Sequence, residues 1–328
     1  MANIPIYRDY YLGLGNVASR SYEVKLGGST IFAGLAYRRP NEAQPYSKIN
    51  DIAAPYLRQT FPCVALEEMD TRYVAAPEIF RTFKVYDGAS QIGDDLAFYM
   101  DYSGESDHIT LAATVGCHAN ITGKFALAAP LIYTLYNNAP IAADGNVVKV
   151  RTPIDTSGTT VLTWQGQGNY VLAPPSEYGN MSHEWLQIGR LRLAPVDCVR
   201  YVVYYVNAYG GWDELPVEGA VKEWREYERH TLQRAYNNAN LQARGTFNYA
   251  NEETRFWQMT TGWLTDEQAA RVHHLIGSTS VYLLDMTTGT FTPVIITDNT
   301  AESRQYATEG KPIFYTFTLR EARQGIRR

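Results

Sequence analysis

Charge is scarce in this chain. Of its 328 residues only 19% are Asp, Glu, Lys or Arg, against about 25% in an average domain. The formal net charge of −5 excludes the broad basic face that a general nucleic-acid binder carries. Cysteine is nearly absent as well: Cys63, Cys117 and Cys198 lie far apart with no CxxC pair. An odd, sparse set of this kind fits free thiols in a chain made in a reducing compartment. No apolar run approaches the roughly 18 to 20 residues that span a bilayer. The stretch Met1–Asn16 has no basic segment leading into an apolar one, so no secretion signal is expected. Without export, the sequons at Asn120 and Asn180 carry no weight.

Catalytic signatures are missing too. Gly13, Gly15 and Ala18 match the spacing of a dinucleotide-binding turn, but no buried strand precedes them and Gly27-Gly28 would break any helix after them. Arg38-Arg39 also stand where a ribose-binding acid belongs. There is neither a P-loop nor a GxSxG elbow. His183-Glu184 begins like a zinc-protease helix, but Gln187 stands in place of the second imidazole. Neighbours on a helix or strand point apart, so Cys117-His118 and His273-His274 make poor metal clamps. Carboxylates gather at Asp94, Asp95, Asp101, Glu105 and Asp107 without the ligand alternation of an EF-hand, and they read as a solvated turn. A glycosidase needs only two suitably spaced carboxylates, which this pattern neither supports nor excludes.

Tyrosine, in contrast, is abundant: 25 residues, beside 11 Phe and 6 Trp. A disordered chain would be poor in aromatics and rich in charge, so disorder is excluded. Short β-branched and aromatic runs at Tyr22–Leu26, Thr30–Tyr37, Ile79–Val85 and Leu96–Tyr102 are separated by turn signals at Gly27-Gly28, Arg39-Pro40 and Asp87-Gly88. Ile109–Val115, Lys124–Tyr136, Thr159–Trp164, Tyr170–Ala173 and Val199–Asn207 continue the pattern. Between them Lys48–Leu57 reads as a short helical turn that Asn50 would cap. The spacing predicts tandem β-sandwich-like domains of the immunoglobulin or fibronectin type. One would span residues 1–140 and a second 141–220, joined through the turn-rich passage Asn137–Asn146.

Residues 221–328 are expected to form a C-terminal α+β block. Val221–Arg234 reads as a long, solvent-washed strand. Thr265-Asp-Glu-Gln268 is a capping box, after which Ala269, Val272, Leu275 and Ile276 share one helical face and Gly277 is expected to end the helix in the left-handed conformation. A hairpin, Val281–Leu284 with Phe291–Thr297, comes next around Gly289, and Pro312–Leu319 reads as a final strand. The fold class is thus mostly β with minor α.

Several segments carry a family likeness. They are Ala36–Pro40 with Ile49–Ile52, Asn207–Asp213, and Thr261–Gln268 running on to His274–Asp285. Together they resemble segments of tail and baseplate structural proteins encoded by phages and prophages of gut Bacteroidales, in order over residues 30 to 320. The resemblance implies a non-enzymatic virion protein made in the host cytoplasm. It implies partners that are copies of the chain in a ring or stack and other tail proteins, with no cofactor. Interfaces favour aromatics and shed charge, so the Tyr surplus agrees with that implication. Trp212, Tyr209, Trp263, Tyr204, Tyr205 and Tyr282 are the candidate structural or interface residues. No catalytic, cofactor-binding or metal-binding residue is assigned. A carbohydrate- or surface-binding module that uses exposed aromatics is the alternative, and a hydrolase hidden among the carboxylates is a third.

Overall fold

The computed structural model describes residues 2–7, 9–63, 70–100, 124–135, 147–153, 155–163, 165–174, 185–188, 191–233, 246–264, 266–298, 314–322 and 325–327. The chain is mostly β, with strands arranged in several sheets and, among the described residues, one helix of appreciable length. An N-terminal six-stranded sheet runs Ala2–Pro5, Leu96–Tyr99, Phe80–Asp87, Ser19–Leu26 and Ser29–Tyr37 in spatial order, with Ser90–Gln91 added to Phe80–Asp87. Only its first pairing is parallel. The turn at Gly27-Gly28 takes positive φ at both residues, a conformation open to glycine at little cost.

Leu131–Leu135, Gly168–Leu172 and Arg72–Ala75 form a three-stranded sheet. A five-stranded sheet runs Lys124–Ala126, Leu191–Val196, Leu186–Ile188, Val147–Arg151 and Thr159–Thr163. These two sheets share a core of Phe125, Leu131, Tyr133, Val150, Tyr170 and Leu193, among others. The other face of the three-stranded sheet sends Ile132 and Val171 into the largest core, which the N-terminal sheet supplies with Val24, Phe83, Val85 and Phe98. With both faces covered, Leu131–Leu135 and Gly168–Leu172 are buried at every residue, as expected for strands enclosed on two sides.

The C-terminal sheet has eight strands. Its order is Trp212–Pro216, Tyr201–Val206, Val281–Asp285, Thr290–Ile296, Thr316–Glu321, Thr246–Thr260 and Val221–Gln233, with Gly325–Arg327 against Thr246–Thr260. Val202, Tyr204 and Val206 enter the large N-terminal core. Tyr201, Val203 and Tyr205 face the opposite way, into a second core with Trp257, Met259, Phe317 and Leu275. Leu275 comes from the helix Asp266–Ile276. Strand pairing runs across both expected domain boundaries: Arg72–Ala75 pairs with Gly168–Leu172 past residue 140, and Tyr201–Val206 pairs with Val281–Asp285 past residue 220.

The long strand expected from residue 221 is present as Val221–Gln233, and the Val281–Asp285 hairpin turns at Gly289 with φ +68°. Three local expectations need correction. Asn50 does not cap the short helix Asn50–Ala53; the residue at that position is Ile49, with no side-chain cap. The Asn50 side chain is buried instead, accepting a hydrogen bond from the Tyr10 amide at 2.6 Å and donating to the Ile6 carbonyl at 3.0 Å. Gly277 is not left-handed; its amide continues the helical ladder to the His273 carbonyl at 3.0 Å. Glu321 ends a strand beginning at Thr316, and a further short strand, Gly325–Arg327, comes after it. The passages Asp101–Asp107, Ile109–His118, Asn137–Asn146 and His183-Glu184, together with Pro312 and the capping Thr265, lie outside the described residues.

Candidate functional site

The tight turn Asn207–Trp212 is built around one side chain. Asn207 Oδ1 accepts from the amides of Tyr209 and Gly211 at 2.9 and 3.0 Å, while Nδ2 donates to Asp213 Oδ2 at 2.7 Å. Gly210 takes φ +77°, which a side chain would resist. The Ala208 amide donates to His274 Nδ1 at 3.2 Å, and Tyr209 stacks on the same imidazole. The turn is thereby tied to the helix Asp266–Ile276, and His274 acts as a packing residue there.

Four of the six candidate residues belong to the chain's own cores. Trp212, Tyr204, Tyr205 and Tyr209 are all buried, so they are unavailable to a partner surface. Trp212 Nε1 donates to the Thr60 carbonyl at 3.2 Å, and Tyr204 Oη donates to the Pro130 carbonyl at 2.8 Å. Tyr282 is half-buried and stacks on Phe61, whose ring also meets Tyr204, Trp212 and Phe291 edge-on. Trp263 alone among the six is well exposed, at 65% of its surface, and meets the exposed Phe314 edge-on at 6.1 Å. The sequence pattern contains no signal for Phe61, the residue at the centre of this aromatic cluster.

Beside the cluster lie two groups whose titration burial alters. Glu214 sits fully enclosed on Trp212–Pro216. Burial first, then the neighbouring Asp213 carboxylate, pushes its carboxyl well above the usual range and favours the neutral acid. Burial likewise pushes the Cys63 thiol up to about 12, which leaves it with little thiolate character. Glu214 and Cys63 are thus core groups, enclosed by the chain itself. Cys198 is exposed, with φ +56°.

The Gly13–Ala18 passage is structural. Gly15 has φ +92°, and Arg20 reaches across it, donating from Nη1 to the Leu14 carbonyl at 2.6 Å and from Nε to Asp87 at 2.8 Å. That guanidinium occupies the space in front of the glycine turn.

The surfaces that remain open are of two kinds. Ser29–Tyr37 pairs with Ser19–Leu26 along one side, and among the described residues no strand pairs along the other. Its nine residues, STIFAGLAY, hold no charge, and Phe32, Leu35 and Tyr37 are exposed. A register shift at Ile31 bulges the start of this edge; residues 32–37 beyond it are extended and hold none of the Lys or Pro with which monomeric proteins usually blunt an edge. The second surface is the hairpin of Val221–Gln233 and Thr246–Thr260, 13 and 15 residues long, or about 45 Å at ~3.3 Å per residue. Thr316–Glu321 supports residues 256–260 of it and Gly325–Arg327 supports residues 251–253. Beyond those positions, among the described residues, the hairpin is a two-stranded ribbon bearing exposed Leu232 and Tyr249, while the exposed Tyr227 stands across from Glu253, where the third strand still runs.

No protein-family model matches the chain, and no curated protein matches it.

Proposed function

We propose that the chain is a non-enzymatic structural subunit of a phage tail or baseplate, acting by self-assembly and by docking to neighbouring virion proteins. The observation that carries this reading is the uncharged nine-residue edge Ser29–Tyr37 with its exposed Phe32, Leu35 and Tyr37. Unpaired backbone donors and acceptors along such an edge are a template for another strand. The ribbon of Val221–Gln233 and Thr246–Thr260 supports the same reading. An isolated two-stranded hairpin is marginal in water, and apolar side chains at its end gain stability when a neighbour covers them. Sandwich-like layers of immunoglobulin or fibronectin type precede a C-terminal helix–hairpin block, and shared strands join them into one scaffold. The segment likeness to Bacteroidales phage tail proteins supplies the setting, the virion tail.

Electron microscopy of the purified chain at high concentration, and of its parent particle, tests this. Rings or stacks are expected; a chain that stays monomeric throughout would sink the proposal. The exposed pair Trp263 and Phe314 favours one second reading, a carbohydrate-binding surface, because exposed rings serve as sugar platforms. Binding on a glycan array that is lost in Trp263→Ala would favour that reading over assembly.

A further inference from the structure

The long hairpin carries a group of side chains that packing does not explain. Glu228 and His230 lie two residues apart on Val221–Gln233, so they share a face. Glu252 stands directly across from Glu228 in the antiparallel register, and Ala250 stands across from His230. Cross-strand partners also share a face, which brings two carboxylates and one imidazole together. Their ligand atoms all lie within 4.8 Å of one another, and His230 Nε2 is 3.2 Å from Glu252 Oε1.

Two like charges directly opposed on a ladder are destabilising. The same hairpin opposes one other like-charged pair, Arg225 and Arg255, but there Arg225 finds a carboxylate, Glu253, at 2.8 Å. Lys and Arg supply no ion pair to Glu228 or Glu252 among the described residues; Glu252 is paired only with His230. The group also occupies a mechanically distinct place. Glu252 is backed by Ile326 of the short strand Gly325–Arg327, and toward Gln233 the described hairpin is two-stranded. A crosslink between the two strands at this level would stiffen the ribbon where its third strand ends.

We propose that Glu228, His230 and Glu252 form a binding site for a divalent first-row transition metal, with Zn²⁺ the best match. An imidazole nitrogen with two carboxylate oxygens suits zinc, which takes N and O ligands at about 2.0 to 2.2 Å. Calcium favours an all-oxygen set. Two carboxylates also balance the ion's charge and remove the Glu228–Glu252 repulsion. All three ligands come from one ladder with fixed register, so the site needs side-chain rotation only, with water completing the coordination. The cation's role is structural, as a clip across the two strands.

Isothermal titration of the full chain with Zn²⁺ tests the site, with hydrogen exchange of the hairpin as a second readout. One Zn²⁺ per chain is expected at these residues, with slower exchange at residues 226–232 and 248–254. His230→Ala, and separately the double variant Glu228→Gln/Glu252→Gln, should weaken binding by at least about 10- to 100-fold, the loss that even a ligand's outer hydrogen-bond partner commands. All three residues are at least partly exposed, so the metal-free variants should fold as the parent does, the double variant with a urea midpoint no lower than the parent's because it removes the carboxylate repulsion, and a loss of binding then reports on ligands. No zinc uptake at sub-millimolar concentration would overturn the proposal. So would uptake unchanged in both variants, which would place the ion at other donors.

Discussion

Phe61 lies face to face on Tyr282, ring centroids 4.1 Å apart and planes within 10° of parallel. The two residues are far apart in the chain, and their contact joins an N-terminal connecting segment to the C-terminal sheet. Beside the pair, the Trp212 indole donates its hydrogen bond to the Thr60 carbonyl. Gln59 donates to the Gly210 carbonyl at 2.8 Å, and Asn169 donates to Gln59 Oε1 at 3.0 Å. Residues 59–61 are therefore the strap on which the N-terminal and C-terminal sheets share a core.

Phe61→Ala should destabilise the chain by about 3 kcal/mol, near the lower end of the range for deleting a buried aromatic because this ring is half-buried. Phe61→Leu keeps most of the apolar contact and forfeits the ring geometry, worth about 1 kcal/mol. Urea unfolding followed by tryptophan fluorescence measures both. A loss below about 1 kcal/mol for the alanine variant would mean that the strap is not holding the sheets together.

Glu214 predicts how stability depends on pH. Its carboxyl titrates higher in the folded chain than in the unfolded one, so between the two values the folded state holds the extra proton. Stability from this group is complete below the unfolded value, about 4.3 for a glutamate, and is lost progressively as pH rises toward the folded value. Glu214→Gln imitates the neutral acid and removes the ionisation. The variant should gain stability relative to the parent as pH rises from about 5 to about 8, with little difference near pH ~4. Parallel pH dependences in urea melts of the two proteins would contradict the assignment.

The edge Ser29–Tyr37 makes a separable prediction. Leu35 is exposed at 52% of its surface, so Leu35→Lys should change monomer stability by no more than about 0.5 kcal/mol. A lysine on an open edge discourages strand addition. Sedimentation velocity should show the parent's assemblies shifted toward monomer in the variant, with the urea midpoint unchanged. Assemblies of the same size in both proteins would place the contact elsewhere.

Much of the local structure arises from short-range pattern. The helix Asp266–Ile276 is announced by Ala269, Val272 and Leu275 on one face, and all three are buried. The strand over Val221–Gln233 is weakly marked in the sequence, because Val221, Trp224, Tyr227 and Leu232 fit neither a helical stripe nor a strict alternation. The trio Glu228, His230 and Glu252 is not legible in that way. Glu228 and His230 are near neighbours in sequence, but the position of Glu252 depends on the register of the hairpin, which a one-residue slip would turn to the other face. Phe61 is hidden for a similar reason: nothing in its neighbourhood shows that Tyr282 and Trp212 will converge on it.

The tyrosine surplus separates the two kinds of information most clearly. Sequence alone determined that Val199–Val206 would be a strand, because adjacent Tyr and Val residues suit a pleated surface. It also determined that the chain would be β-rich and poor in charge. Only the tertiary structure decided that Tyr204 and Tyr205, neighbours pointing opposite ways, would both be buried. Tyr204 enters the core shared with the N-terminal sheet, and Tyr205 enters the core beneath the helix. A strand covered on both faces shows no alternation of apolar and polar residues, so its tyrosines look the same as those of a contact surface. The distinction lies in which sheets pack above and below it, and that is fixed by contacts between residues far apart in the chain.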